Sequence, residues 1–471
     1  MKKMNCPFRI TQSVAFAVLL FGSCAISWAH SGPEGHLRHW ETASADPDRL
    51  VVTFAEDPAR SFSVNWRTDS GVSVGFGEIA PAGDHPRFDL DRKRVEGVTE
   101  PVNLNAAYRN SQGTVHSHSV TFRELEPDTL YAYRVGDDSE HWSEWIHFRT
   151  ASTKPESFTF LYFGDAQNEV LSHWSRVIRS AYSTAPHARL AIHAGDLINR
   201  AHADREWAAW FKAGGWIHAS LGNIVVPGNH EYDRLTRDDS EKKRLSLQWR
   251  PQFTLPVEET LPDNLHETVY FVDYQGVRFV VLNSIESIEE QAAWLDHVLE
   301  NDENRWTVLT FHHPVFSSGR GRDRQEWRDL LKPVIDRHSV DLVLQGHDHT
   351  YARGHVPVRM TDGDEAIEGG PLTSVYVNSV SGAKMYQFQE DGWNTYSPYG
   401  VQLERMAENT QFFQVIDIDG NHLSYKAYTA TGKLYDAFSI KKDDNGEKQL
   451  KSPMSTSRSF DNTPAYSRDG F

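Results

Sequence analysis

A chain of 471 residues with 39% hydrophobic and 24% charged side chains has the composition of a folded globular protein, which excludes a wholly disordered chain. Its length exceeds what one core usually holds, so two domains are expected. The net charge of −17 excludes a general nucleic-acid surface, and an anionic substrate would need a local positive field such as bound cations supply.

The N-terminus carries Lys2, Lys3 and Arg9, an apolar run from Val14 to Phe21, and small residues around Ser27-Trp28-Ala29. This pattern reads as a cleaved secretory signal peptide over 1–29, hence a secreted or periplasmic protein. Phe21-Gly22-Ser23-Cys24 loosely matches a lipoprotein cleavage box, so lipid anchoring at Cys24 is the minor alternative. No stretch reaches the ~20 apolar residues of a transmembrane helix. Removing the three basic side chains takes the net charge from −17 to −20. Both cysteines, Cys6 and Cys24, fall in the same segment. A mature chain cleaved after Ala29 therefore has no thiolate, and any metal site must use His, Asp, Glu or Asn.

After a lead segment over 30–48, residues 49–150 read as short strands between turns. Leu50 to Phe54, Phe62 to Trp66 and Leu130 to Val135 are rich in β-branched and aromatic residues, the signature of an all-β sandwich. Trp66 and the run Leu125-Glu126-Pro127-Asp128-Thr129-Leu130-Tyr131 resemble a fibronectin type III module, in which such a Tyr ties a corner between strands. His116 and His118 alternate on a strand and read as surface or interface residues.

Residues 151–157, with Pro155, read as a linker. Over 158–440, apolar strands alternate with helical segments such as Asp204 to Lys212 and Glu289 to Leu299, which implies an α/β domain. Phe412 to Ile418 and Leu423 to Tyr428, joined through Asp419-Gly420-Asn421, form a closing hairpin. From 441 to 471 the chain is polar and reads as a disordered tail, and Lys442 to Glu447 as a solvated end rather than a calcium loop.

Five places in the α/β domain share one pattern, an apolar strand running into a metal-ligand residue. They end in Gly164-Asp165, Gly195-Asp196, Gly228-Asn229-His230, His312-His313 and Gly346-His347-Asp348-His349. The carboxyl ends of α/β strands form one rim, so such ligands can converge. Each glycine permits a close backbone approach. Carboxylate, amide oxygen and neutral imidazole suit iron, manganese and zinc. Two such ions roughly 3.5–4 Å apart would polarise a phosphoryl group, hold a hydroxide nucleophile and stabilise the leaving oxygen.

The ordered runs GDAQ, GDLIN, GNHE, HHP and GHDH resemble those of the calcineurin-like metallophosphoesterases. With the preceding sandwich, the chain is similar to the purple acid phosphatase branch. The resemblance implies a β-sandwich core flanked by helices (αββα), preceded by the fibronectin-like sandwich. It implies two metal ions, the first held by Asp165, Asp196 and His349, the second by Asp196, Asn229, His312 and His347. His230 matches the residue that protonates the leaving group or stabilises the transition state. His313 would face substrate or support the ligands, and Glu231 and Asp348 would orient imidazoles.

Two positions depart from the family. Asn199 stands where purple members have a ferric-binding Tyr, so the protein is expected not to be purple and to use divalent Fe, Mn or Zn. Gln167 stands where many non-purple members have a His, and is a weaker first-metal ligand through its carbonyl or a lining residue of the substrate pocket. The implied activity is acid phosphatase-like hydrolysis of small phosphate monoesters, with a phosphodiesterase or a catalytically weak surface binding protein as alternatives. Tyr232, Arg234 and the segment 317–324 are the expected pocket lining. Arg320, Arg322 and Arg324 read as a solvated basic loop, with phosphate contact as the alternative.

Overall fold

The computed structural model describes residues 38–107, 110, 113–236, 243–357 and 372–452, so the leader read over 1–29 and its two cysteines lie outside the described residues. Strands Phe158–Phe163, Leu190–His193 and Gly222–Val225 pair in parallel, and every residue in them is buried. Burial on both faces explains why they read as continuous apolar runs. A second parallel set, Val277–Val281, Trp306–Phe311, Leu342–Gln345 and Leu372–Asn378, forms most of a seven-stranded sheet.

The two sheets pack face to face. The Phe160 and Phe279 rings meet at 5.2 Å, and the Tyr162 hydroxyl donates to the Gln345 carbonyl. Helices Ser175–Thr184 and Asp204–Gly214 cover the first sheet with Val177, Ile178, Trp207 and Trp210, all buried. Helices Ile288–Glu300 and Gln325–Arg337 cover the second through Leu295, Trp327 and Leu331. The result is the expected helix–sheet–sheet–helix layering, whose strand ends point to one rim.

The N-terminal all-β domain joins this frame directly. Strand Asp48–Thr53 pairs in parallel with Gly222–Val225 and antiparallel with Phe62–Asp69, so one eleven-stranded sheet runs through both domains. A four-stranded sheet, with Phe76–Pro81 and Leu130–Gly136 at its centre, completes the sandwich. The seam is buried, and polar contacts accompany its apolar packing, in which Phe54 meets Tyr274 at 5.9 Å. Arg49 bonds Asp204 at 2.8 Å, Arg67 approaches the same carboxylate at 3.3 Å, and Asn223 Nδ2 donates to the Val52 carbonyl at 3.0 Å. The Glu126 N–H donates to the Tyr131 hydroxyl at 2.9 Å, which makes the corner bond.

Two expectations are corrected. His118 is not a surface residue: it is buried, stacks on Trp66 at 5.2 Å, and lies 2.7 Å from Thr68 Oγ1 and 2.9 Å from Thr99 Oγ1. Burial, then the neighbouring His116, pushes its pKa down to about 4, so it is a neutral core side chain. The chain beyond Lys441 does not become a tail at that point. Strand Leu434–Lys442 turns into Lys448–Lys451, which adds an edge strand to the eleven-stranded sheet. Lys448 and Leu450 point inward, and the Lys448 ammonium lies 3.2 Å from Asp341. A buried lysine paired with an aspartate gave this strand the look of a solvated end. Among the described residues no helix is long and apolar enough to cross a membrane.

Candidate metal centre

The strand ends deliver their side chains to one buried point. Asp165 follows Phe158–Phe163, Asp196 follows Leu190–His193, and Asn229 follows Gly222–Val225. His312 follows Trp306–Phe311, and His347 and His349 follow Leu342–Gln345. Asp165, Asp196 and His349 offer donor atoms within 4.8 Å of one another, and so do Asp196, His312 and His347. Asp196 belongs to both groups. Asn229 Oδ1 lies 3.2 Å from His312 Nε2, beside the second group.

Tight backbone makes the convergence possible. A Cβ on Gly228 would stand 2.2 Å from Asp196 Oδ1, and one on Gly346 2.4 Å from Asp165 Oδ1. Asp196, His347 and His349 themselves have φ of +50°, +74° and +51°. Such left-handed positions cost of order 1–3 kcal/mol each for non-glycine residues and persist where surrounding structure enforces them.

The donor set fits cations. His312 Nδ1 lies 3.0 Å from the Ala194 carbonyl and His349 Nδ1 2.8 Å from the Lys384 carbonyl, so each Nδ1–H donates and each Nε2 turns to the cluster. His349 Nε2 then faces Asp165 Oδ2 at 3.0 Å, and that oxygen has no hydrogen-bond donor. His312 Nε2 faces Asp196 Oδ2 at 3.1 Å, Asn229 Oδ1 at 3.2 Å and His347 Nδ1 at 3.2 Å. Buried acceptors crowd together only around positive charge. Without a metal ion that charge is a proton. Burial alone would lower the His312 pKa, but the Asp196 and Asp165 carboxylates raise it to about 9. Burial opposes the ionised Asp196, yet His312 and His230 hold its pKa well below the carboxylate range. A cation entering here displaces the proton.

The remaining residues take roles that sequence reasoning assigned differently in part. Gln167 is buried in the cluster, with Nε2 2.7 Å from Asp196 Oδ2 and 3.2 Å from His349 Nε2. Its Oε1 has no partner, so turning the amide over offers a cation an oxygen. His230 Nδ1 lies 2.6 Å from the Asn199 carbonyl, which aims Nε2 at the centre, 4.0 Å from Asp196 Oδ2. Glu231 orients no imidazole. Its carboxylate accepts the backbone N–H groups of Gly228 at 2.6 Å, Asp196 at 2.9 Å and Leu197 at 2.9 Å. Burial and the Asp196 charge push its pKa up to about 8 in the ion-free protein.

Asp348 likewise turns away from the imidazoles, accepting from Ser317 Oγ at 2.9 Å and from the Ser318 and Gly319 N–H groups at 2.5 and 3.0 Å. His313 Nδ1 lies 2.8 Å from Ser284 Oγ and its ring 4.0 Å from that of His347. Burial and then His312 keep it neutral. Imidazole orientation therefore falls to the carbonyls of Ala194 and Lys384, which carry no side-chain signal. Arg322 and Arg324 are not a solvated pair. Arg324 donates to the Ser284 carbonyl at 3.0 Å, and Arg322 reaches His347 Nε2 at 2.7 Å.

Residues 158–351 match the family model "Calcineurin-like phosphoesterase", and residues 47–150 match "Purple acid Phosphatase, N-terminal domain". The chain belongs to the calcineurin-like metallophosphoesterases. Within them it joins the purple acid phosphatase branch, and it is a metal-dependent phosphoric ester hydrolase with a dinuclear centre. This metallophosphoesterase is 24% identical over 368 residues to purple acid phosphatase 18 of Arabidopsis thaliana, covering 75% of this chain and 76% of the relative. It is 25% identical over 342 residues to acid phosphatase type 7 of Homo sapiens, covering 66% and 71%. The fold matches a solved purple acid phosphatase, PPD1 from yellow lupin (Lupinus luteus) seeds, at TM-score 0.68 with 17% identity, over 85% of this chain and 75% of that one. It also matches PhoD at TM-score 0.58 with 14% identity, over 88% and 93%.

Proposed function

We propose that this metallophosphoesterase is an exported phosphatase that hydrolyses small phosphate monoesters. Asp165, Gln167, Asp196 and His349 would hold one ion, and Asp196, Asn229, His312 and His347 the other. The observation that carries the reading is the buried meeting of carboxylate, amide and imidazole acceptors around Asp196, which only positive charge reconciles. When bound, two ions would polarise the phosphoryl group, activate a water as nucleophile and stabilise the leaving oxygen. His230 supplies the proton. Its Nδ1–H is committed to Asn199, so a protonated Nε2 donates to the ester oxygen as the P–O bond breaks.

The acid phosphatase names of the relatives favour monoesters. Asn199 in place of Tyr favours divalent Fe, Mn or Zn. Metal-stripped protein reloaded with each of these ions should hydrolyse nitrophenyl phosphate faster than bis-nitrophenyl phosphate and show no purple absorption band. Turnover of neither substrate with any ion would sink the proposal, and a purple ferric spectrum would sink its metal assignment. Export rests on the pattern from Lys2 to Ala29. Protein recovered from outside the cytoplasm should begin near His30, and a retained Met1 would refute cleavage.

A further inference from the structure

The loop carrying Arg322 comes over the candidate metal centre. Arg322 Nη2 lies 2.7 Å from His347 Nε2 and donates to the His347 carbonyl at 2.9 Å. Its guanidinium sits over the Tyr386 ring at 4.6 Å, and that ring packs on His349 at 4.7 Å. The nearby Asp348 carboxylate pairs with it as an ion but without a hydrogen bond. Arg322 Nε stands 3.5 Å from Asp348 Oδ1, outside hydrogen-bond geometry, while Asp348 Oδ2 takes donors from Ser317, Ser318 and Gly319.

One of these contacts cannot coexist with a bound ion. His347 presents Nδ1 to the cluster, 3.2 Å from His312 Nε2. If Nδ1 gives its lone pair to a cation, the neutral ring carries its proton on Nε2. That N–H then opposes the Arg322 N–H at 2.7 Å, donor against donor. Arg322 must release Nε2 as the centre fills, while the His347 carbonyl and the Tyr386 face keep the guanidinium beside the ions. Its side chain remains 24% exposed, so an anion in solvent can reach it. A planar cation with freed N–H groups suits two oxygens of one phosphoryl group.

We propose that Arg322, braced by Tyr386, binds the non-bridging phosphoryl oxygens of the substrate and favours a dianionic monoester over a monoanionic diester. The preference rests on the monoester reading above, whereas the anion site itself does not.

The test uses full-length protein loaded with metal, Arg322→Ala and Arg322→Lys. Calorimetric titration with inorganic phosphate should show about a tenfold to hundredfold weaker affinity in Arg322→Ala, the size of a lost charge-assisted contact. Elemental analysis should show unchanged metal content, since Arg322 is no ligand. The kcat/KM for nitrophenyl phosphate should fall more than that for bis-nitrophenyl phosphate. Arg322→Lys should recover part of the phosphate affinity, because charge returns without the fork. Unchanged phosphate affinity at full metal content would overturn the proposal, as would loss of an ion, which would make Arg322 a support for His347. Equal losses for both esters would overturn the monoester preference assigned to Arg322. Wild-type preference for the diester would instead refute the monoester reading, and the phosphate titration would still judge the anion site.

Discussion

Replacing Asp196 by Asn is expected to abolish turnover and to strip the protein of metal, while far-ultraviolet circular dichroism stays unchanged. Asp196 is the one carboxylate common to both ligand groups: Oδ2 faces the centre, 3.1 Å from His312 Nε2, while Oδ1 accepts the His230 backbone N–H at 2.9 Å. An Asn there removes a negative charge from each ion and presents N–H groups on one side. Metal-ion stabilisation of a phosphoryl transition state is worth several kcal/mol, so activity should fall on the order of a thousandfold or more. Asn229→Ala and His347→Ala touch only the second group and should lower metal content by about one ion per chain, with the first retained. Elemental analysis of the three variants separates a shared ligand from single-site ones. Two ions retained in Asp196→Asn would refute the bridging assignment.

Much of this geometry is legible in the sequence, and the reason is local. A glycine before a carboxylate or imidazole at the end of an apolar strand encodes both the turn and the ligand within a few residues, as at Gly195-Asp196 and Gly346-His347. Parallel strands buried on both faces leave uninterrupted apolar runs, which is why Phe158–Phe163 and Leu342–Gln345 were readable. What stayed hidden depends on residues far apart in the chain. Tyr386 meets His349 and Arg322 only because the segment after strand Leu372–Asn378 returns to the rim. The Ala194 and Lys384 carbonyls orient His312 and His349, yet a carbonyl is common to every residue type. Strand Lys448–Lys451 has no local signal, because Lys448 is buried against Asp341, a partner over a hundred positions away. The continuity of the eleven-stranded sheet likewise hangs on the pairing of Val52 with Gly222, which no local pattern announces.

Glu231 tests how the strained ligand loops are held. Its carboxylate is fully buried and spans two of them, with Oε2 accepting from Gly228 at 2.6 Å and Asp196 at 2.9 Å, and Oε1 accepting from Leu197 at 2.9 Å. These bonds fix the turn in which Asp196 takes φ +50°. Glu231→Gln keeps the shape but turns an amide NH2 towards backbone N–H donors, so at least one buried donor loses its acceptor. The expected cost is about 1–3 kcal/mol in chemical denaturation of the metal-free protein above pH 8, where the Glu231 carboxylate is ionised. Metal affinity should fall about tenfold to a hundredfold, the usual effect of removing a group that supports ligands. Excess metal should restore most of the turnover, because the first-contact residues are all present, while the metal-free stability stays low. That separation distinguishes a brace from a catalytic acid, whose loss no metal concentration repairs. Turnover that stays abolished in fully loaded Glu231→Gln would show that the carboxylate takes part in the chemistry itself.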